Sequence, residues 1–360
     1  MATGGVVLHG QDGGEGALVE PGDPCWDAAL AAVPHDVYHL PGYARVDAEL
    51  AGGRPVAYVH RRGDRTLLLP LVLRPVPGTA GASDATSPYG YPGPACDAPL
   101  DDEAFWRCAA AGLRRQLQAH KVVACFVRLH PLLAPRLDAL AREGTVVQHG
   151  HTVSVDLTLP EDVLWAGTRS NHRRNIEQAR RAGMRVVVDD WARLPEFVEA
   201  YHETMRRVGA VGYYFFEPAY FEALRREVAG SLHLAVVDDD GTLAGGGLFF
   251  EQAGIVQYHL GATRSHYLPR QPTKLLFDEM RRWATARGNR ALHLGGGVGG
   301  RSNPLFHFKA GFSADQPPFF TWRLVPDRAG YDVAVAAAGL PLPADDGGYF
   351  PAYRQPEGAA

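Results

Sequence analysis

Residues 232–294 constrain the fold more than any other stretch of this 360-residue chain. Leu232–Val237 reads as a strand, Asp238-Asp239-Asp240-Gly241 as a tight turn, Thr242–Glu251 as a second strand and Ile255–Gly261 as a third. A helix follows over Thr273–Arg287, with Leu276, Met280 and Trp283 on one face and Gly288 as its stop. Ala291–Leu294 is then a further strand. An antiparallel meander, a helix and a returning strand require a mixed sheet covered by helices, so the class is α/β (α+β).

The rest of the chain uses the same parts. Pro55–His60 and Thr66–Leu73 flank Arg61-Arg62-Gly63-Asp64 as a hairpin. Residues 75–100, rich in Pro, Gly and Ser, read as a long loop containing Ser87-Pro88-Tyr89-Gly90-Tyr91-Pro92-Gly93. A helix over Asp102–Ala119 precedes strands Val122–Leu129 and His151–Leu157. Pro160–Ala182 reads as one helix, basic at its end, followed by strand Arg185–Val188 and helices Leu194–Val208 and Pro218–Ala229. Ala57-Tyr58-Val59 and Ala235-Val236-Val237 each precede a polar turn and another strand, about 178 residues apart. That echo points to two copies of one α/β unit, which suits a chain too long for a single core. The expected division is a flexible N-terminus over 1–24, a first domain over 25–157 completed by 315–345, a second over 158–314 carrying the chemistry, and a tail over 346–360.

Composition excludes several classes. Hydrophobic residues make up 46% and charged residues 21%, which is ordinary for a globular protein. No apolar run approaches the ~20 residues of a membrane helix, and the Gly-rich, acidic first residues lack a signal-peptide pattern. Cys25, Cys96, Cys108 and Cys125 have no CxxC spacing, which argues against zinc or a disulfide framework and leads us to expect a cytoplasmic protein. The net charge of −4 rules out a generally basic nucleic-acid binder, so any RNA contact must come from a local patch. No GxSxG, HExxH or EF-hand pattern is present, and no metal or cofactor is expected.

The chemistry concentrates near residue 300. Leu292-His293-Leu294 runs into Gly295-Gly296-Gly297, and Phe308-Lys309-Ala310-Gly311-Phe312 follows a short helix over Asn303–Ala310. A lysine held beside a Gly-rich opening can stabilise the oxyanion formed when an amine attacks an ester or thioester carbonyl. A surface lysine after a buried Phe is the competing reading. Gly295–Gly300 matches neither a dinucleotide fingerprint nor a P-loop, which leaves a close backbone approach to substrate or a plain turn.

Four motifs, in this order, resemble the Fem family of aminoacyltransferases within the GNAT superfamily. They are Ser170-Asn171-His172-Arg173-Arg174-Asn175-Ile176 with Ala179 and Gly183, Tyr258-His259-Leu260-Gly261-Ala262, the Gly295–Gly297 turn, and Phe308-Lys309-Ala310-Gly311-Phe312. The resemblance implies two tandem GNAT-like domains, each a mixed, mostly antiparallel sheet flanked by helices. It also implies transfer of an amino acid from aminoacyl-tRNA to an amine. Lys309 would polarise the ester carbonyl and Phe308 would shape the same pocket. The long coiled-coil arm of the wall-building members is not found here. Nor is the segment that would meet a cell-wall precursor recognisable around Tyr38–Tyr43, so the acceptor stays open between a small peptide, a natural-product amine and a cell-wall precursor.

Donor chemistry follows from two further stretches. Acetyl-CoA enzymes of the superfamily place a Gln/Arg-x-x-Gly-x-Gly/Ala loop before a helix. Here Ala262–Pro272 has no glycine and two prolines, which lack N–H groups, so an acyl-CoA or carrier-bound thioester donor is one alternative and not the first choice; a non-catalytic GNAT-like binding module is the other. Arg169, Arg173, Arg174, Arg180, Arg181 and Arg185 fall within 17 residues. Either they anchor donor phosphates, as expected for Arg173, Arg174, Arg180 and Arg181, or they form a solvated helix face. Arg206, Arg207 and Tyr214 are candidates for binding the acceptor, with Tyr258, Gly296 and Gly297 lining the transfer cleft. His259 reads as a packed or exposed strand residue, and His307 as a proton shuttle or a surface residue.

Overall fold

The computed structural model describes residues 8–9, 14–210, 212–342 and 348–356. Along the chain these form β1 (Leu8–His9), β2 (Glu15–Val19), α1 (Pro24–Ala32), α2 (Pro41–Ala51), β3 (Arg54–Arg62), β4 (Arg65–Pro75), β5 (Ser83–Thr86), β6 (Ala95–Cys96), α3 (Glu103–Ala119), β7 (Val122–Arg128), α4 (Leu137–Ala141) and β8 (Thr145–Asp156). Then come α5 (Glu161–Gly167), α6 (Ser170–Arg181), β9 (Arg185–Val188), α7 (Leu194–Arg207), α8 (Pro218–Glu227), β10 (Leu232–Asp239), β11 (Thr242–Gln252), β12 (Ile255–Thr263), α9 (Pro272–Ala286), β13 (Ala291–Gly296), α10 (Pro304–Lys309), β14 (Pro318–Leu324) and α11 (Arg328–Ala337). Two compact units result, 1–149 with 319–360 and 150–318.

In the first unit the strand order is β1-β2-β3-β4-β5-β7-β14, with β6 also on β4. All pairs are antiparallel except β5 with β7, which are parallel and joined through α3. The core combines Trp106, Leu113 and Leu117 of α3 with Leu69 and Leu71 of β4 and Trp322 of β14. The second unit has the order β8-β13-β12-β11-β10-β9. Here too a single pair, β12 with β13, is parallel and is joined by a helix, α9. The meander-helix-strand sequence β3-β4-β5-α3-β7 thus recurs as β10-β11-β12-α9-β13. In each unit a strand from elsewhere in the chain, β14 or β8, pairs antiparallel with the last strand.

The tight hairpins follow from local chemistry. Asp240 and Gly241 (φ 50° and 81°) close β10–β11, and Ala253 and Gly254 (φ 47° and 82°) close β11–β12. Two central residues with positive φ give the turn whose twist matches the strands. Core residues Leu275, Leu276, Met280 and Ala284 of α9 then pack on the sheet.

Several expectations are corrected. The segment before residue 24 is not all flexible lead-in, because β2 pairs with β3 from Glu15↔Arg61 to Val19↔Ala57. Residues 1–7 and 10–13 lie outside the described residues. The 75–100 loop contains β5, which pairs with both β4 and β7. Gly150–Asp156 belongs to the second unit, not the first, because Thr152–Asp156 pairs with β13. The tail is also anchored: Phe350 and Tyr353 pack with Tyr331 of α11. Residues 343–347 and 357–360 lie outside the described residues.

The single helix expected over 160–182 is two helices, α5 and α6. The α5 carbonyls at its C-terminus need partners. The Arg173 guanidinium reaches back from α6 to donate to the carbonyls of Trp165, Ala166 and Thr168 at 3.1, 2.8 and 2.9 Å. The break sets the N-terminus of α6, from Arg169 onward, against the segment that carries Lys309. Among the described residues the longest helix is α3, at 17 residues, and no coiled-coil arm is present.

Candidate transfer site

The site is built where two neighbouring strands stop pairing. β12 and β13 are parallel only over Ile255–Gln257 and Ala291–His293. Immediately afterwards each strand carries a bulge against its other neighbour. The β11–β12 register jumps from Leu248↔Leu260 to Phe249↔Tyr258, leaving His259 as the extra residue. The β13–β8 register jumps from His293↔Ser154 to Gly295↔Val153, leaving Leu294 extra. A bulge re-aims side chains and ends regular pairing, so the two strands present Tyr258 and Gly296 without bonding to each other.

Lys309 bridges that gap. Its Nζ donates to the Gly296 carbonyl at 2.8 Å and lies 5.5 Å from the centre of the Tyr258 ring. The side chain is buried, with 6% exposure, and burial lowers the ammonium pKa from 10.5 to about 7. Removal from water penalises the charged form, and no carboxylate compensates. The result is a lysine whose proton is labile near neutrality, held by one carbonyl and an aromatic face.

Its frame is rigid. Asn303 caps α10 by accepting from the Phe306 N–H at 3.1 Å. A Cβ on Gly297 would collide with the Arg301 carbonyl and the Asn303 side chain, so the glycine permits the cap. The Tyr258 ring packs edge-on against Phe277 at 4.7 Å and near Phe249 at 5.4 Å. Its hydroxyl lies against Gly261, where any side chain would overlap it.

Phe308 points into packing. Its ring lies 5.8 Å from both Phe277 and Phe312 and 5.4 Å from His172. The His172 Nε2 is 3.0 Å from the Phe308 carbonyl, and the Arg169 N–H donates to the Gly311 carbonyl at 2.8 Å. A Cβ on Gly311 would strike the His172 ring. The Ser170–Ile176 and Phe308–Phe312 motifs, over 130 residues apart, are therefore one packed assembly. Nothing in the spacing marks His172 as this partner; the legible signal is the glycine that makes room for it.

The basic cluster divides. Arg173 is occupied with the α5 carbonyls. Arg180 pairs with Asp278 at 2.6 Å and with Glu279 at 2.5 Å. Asp278 is fully buried; burial alone would raise its carboxyl, but Arg281, Arg282 and Arg180 hold it below the usual range. Arg173 and Arg180, expected as donor contacts, are thus both engaged by partners within the protein. Arg174 and Arg181 are exposed. Lys274, near the start of α9, donates to the Asn175 side chain at 2.8 Å. Burial lowers its ammonium, and the charges of Arg174 and Arg169 lower it further. The charges of Arg174 and Arg169 are thus felt at the N-terminal turn of α9.

The expected acceptor residues do not join Lys309. Arg207 donates to the Thr263 carbonyl and to Ser265 Oγ, both at 3.0 Å, at the far end of β12, roughly 17 Å along the strand from Tyr258. Arg206 is exposed, and the Tyr214 carbonyl accepts the Tyr201 hydroxyl at 2.7 Å. His259 lies 3.2 Å from the Tyr220 hydroxyl, and burial lowers its pKa to about 3, so it stays neutral. His307 is exposed, with its ring 3.3 Å from Ser302 Oγ.

The fold has known counterparts. Residues 166–309 match the family described as "Acetyltransferase (GNAT) domain". The crystal structure of FemX superposes with a TM-score of 0.67 at 15% identity, covering 85% of this chain and 96% of that one. The chain has the fold of FemX and carries, over residues 166–309, a GNAT acyltransferase domain. Two further structures share the fold. One is the C-terminal domain of a putative lysylphosphatidylglycerol synthetase from Agrobacterium fabrum (TM-score 0.54, 16% identity, 88% and 95% covered). The other is L-PGS from Bacillus licheniformis (0.52, 12%, 89% and 97%). No curated protein matches the sequence significantly. No helix among the described residues of the acyltransferase is long and apolar enough to cross a membrane.

Proposed function

We propose that this acyltransferase moves an aminoacyl group from the ester of an aminoacyl-tRNA onto the amine of a small acceptor, forming an amide. The observation that carries this reading is the buried Lys309 ammonium, set between Gly296 and Tyr258 where β12 and β13 cease to pair. The acceptor amine attacks the ester carbonyl and a C–N bond forms. The carbonyl oxygen becomes an oxyanion that Lys309 stabilises. Collapse breaks the C–O bond to the ribose. The departing ribose oxygen takes up a proton, and the amine gives one up to the substrate's own groups or to water.

The RNA donor is supported by exposed Arg174 and Arg181 and by Lys274 beside Arg174, which place positive charge at one end of the unit that holds Lys309. Such contacts bind phosphates without reading sequence. An acyl-thioester donor is the second reading, favoured by the description of the matching family. Against it, the turn before α9 enters through Pro269, Gln271 at φ 55° and Pro272. That segment offers few N–H groups to a pyrophosphate.

The test is transfer of a radiolabelled amino acid to mixed amine acceptors, with charged tRNA or acetyl-CoA as donor. Ribonuclease-sensitive transfer that drops at least about 100-fold in Lys309→Met is expected. Transfer from acetyl-CoA alone would replace the RNA donor with a thioester.

A further inference from the structure

A cavity of about 370 Å³ opens in the second unit against α10, and Lys309, Gly296 and Tyr258 are not among its lining residues. Its polar lining is Arg169, His151, His307, Ser302 and Gln316, with the bare backbone of Gly150 completing one wall. The lining contains no carboxylate. Arg169 makes no ion pair among the described residues; one guanidinium nitrogen donates to the His307 carbonyl at 3.3 Å, which anchors the group at the cavity. The Ser302 hydroxyl lies 3.3 Å from the His307 ring, so the two hold each other there.

The glycines of this region acquire a purpose from the cavity. Gly150 adopts φ 153°, and a Cβ on it would overlap the Gly300 carbonyl. Gly299 and Gly300 have φ 65° and 74°. The loop after β13 therefore lies directly against the start of the second-unit part of β8, which only glycine allows. The wall so formed is backbone, and the side chains that remain are a permanent cation, two imidazoles, a hydroxyl and an amide, together with apolar Phe306 and Ala310.

We propose that this cavity is a binding site for a phosphate monoester group. A phosphate presents several acceptor oxygens, and the lining supplies five hydrogen-bonding side chains with a fixed positive charge. A volume of about 370 Å³ exceeds inorganic phosphate and suits a small phosphorylated molecule or one terminal nucleotide. His151 also touches the transfer site: its carbonyl lies 3.0 Å from where a Cβ of Gly296 would stand, the residue whose carbonyl holds Lys309. A phosphate bound here is thus seated next to the Lys309 frame, but its binding needs no turnover.

The experiment is calorimetric titration of the full chain with glycerol phosphate, AMP and a short oligonucleotide ending in CCA, with acetate as a control. Saturable binding of a phosphate monoester is expected, weakened at least about 10-fold in Arg169→Gln and in His151→Ala, and restored in part by Arg169→Lys. Arg174→Ala, which alters the cations at α9, leaves glycerol phosphate affinity within about 2-fold. If the oligonucleotide, whose phosphates are diesters, binds as tightly as glycerol phosphate, the monoester assignment is overturned in favour of a donor-strand phosphate; if it does not, the site belongs to a small phosphorylated ligand. Absence of saturable binding, acetate binding as tightly as phosphate, or equal losses in Arg174→Ala and Arg169→Gln would each overturn the assignment. Should Arg169→Gln fail to fold, His151→Ala carries the same comparison.

Discussion

Replacing Lys309 by Met should abolish turnover and at the same time stabilise the fold in a pH-dependent way. The ammonium pKa falls from 10.5 in the unfolded chain to about 7 in the folded one. Below pH 7 both states are protonated, and burying the charge carries its full cost. As pH rises from 7 to 10.5 the folded state has already lost the proton while the unfolded state still holds it, so the cost is relieved and wild-type stability climbs. Holding the buried amine against a tenfold change in proton activity is worth about 1.4 kcal/mol, so the penalty is about 4 kcal/mol at pH 7 and about 2 kcal/mol at pH 9. Met removes this penalty but leaves the Gly296 carbonyl without its donor, a loss of about 1–2 kcal/mol at either pH. Lys309→Met is therefore expected to be more stable than wild type by about 2–3 kcal/mol at pH 7 and nearly equal at pH 9. Denaturant unfolding of both proteins at pH 7, 8 and 9, followed by tryptophan fluorescence, measures this. Other titrating groups cancel between the two chains, so the stability difference should shrink by about 2 kcal/mol across the range. Parallel stability curves, or a gap that widens with pH, would refute the buried-ammonium reasoning.

Further outcomes follow from neighbouring residues. If Lys309 acts as an ammonium, kcat/KM referred to the concentration of unprotonated acceptor amine falls as pH rises above about 7; a value that climbs through the same range after that correction would make the neutral lysine the active form. Arg173→Ala should destabilise the protein by about 1–3 kcal/mol in thermal or chemical unfolding, because three carbonyls lose one donor. Arg174→Ala should leave stability within about 0.5 kcal/mol yet weaken binding of charged tRNA and flatten its salt dependence, read by filter binding at two ionic strengths. Gly261→Ala forces the Tyr258 hydroxyl aside and should cost about 1–3 kcal/mol with a matching loss of activity; unchanged stability and turnover would remove Tyr258 from the site's frame.

The features legible in the sequence are largely local. The β10–β11–β12 meander, α9 and β13 can be read there because turn residues and helical periodicity act within a few residues of themselves. So can the duplication, since the Ala57–Val59 and Ala235–Val237 segments head equivalent strands of two sheets with the same order. Lys309 is marked by its place after a Gly-rich turn.

The remaining features arise from contacts between distant segments, which sequence spacing does not encode. A basic helix looks alike whether its arginines face phosphate or protein; only packing shows Arg173 closing α5 and Arg180 meeting buried Asp278. Bulges at His259 and Leu294 have no local signature, yet they end the β12–β13 pairing and open the gap that Lys309 fills. The lowered pKa of Lys309 is likewise a property of the assembled fold, because desolvation depends on what surrounds the ammonium and not on its neighbours in sequence.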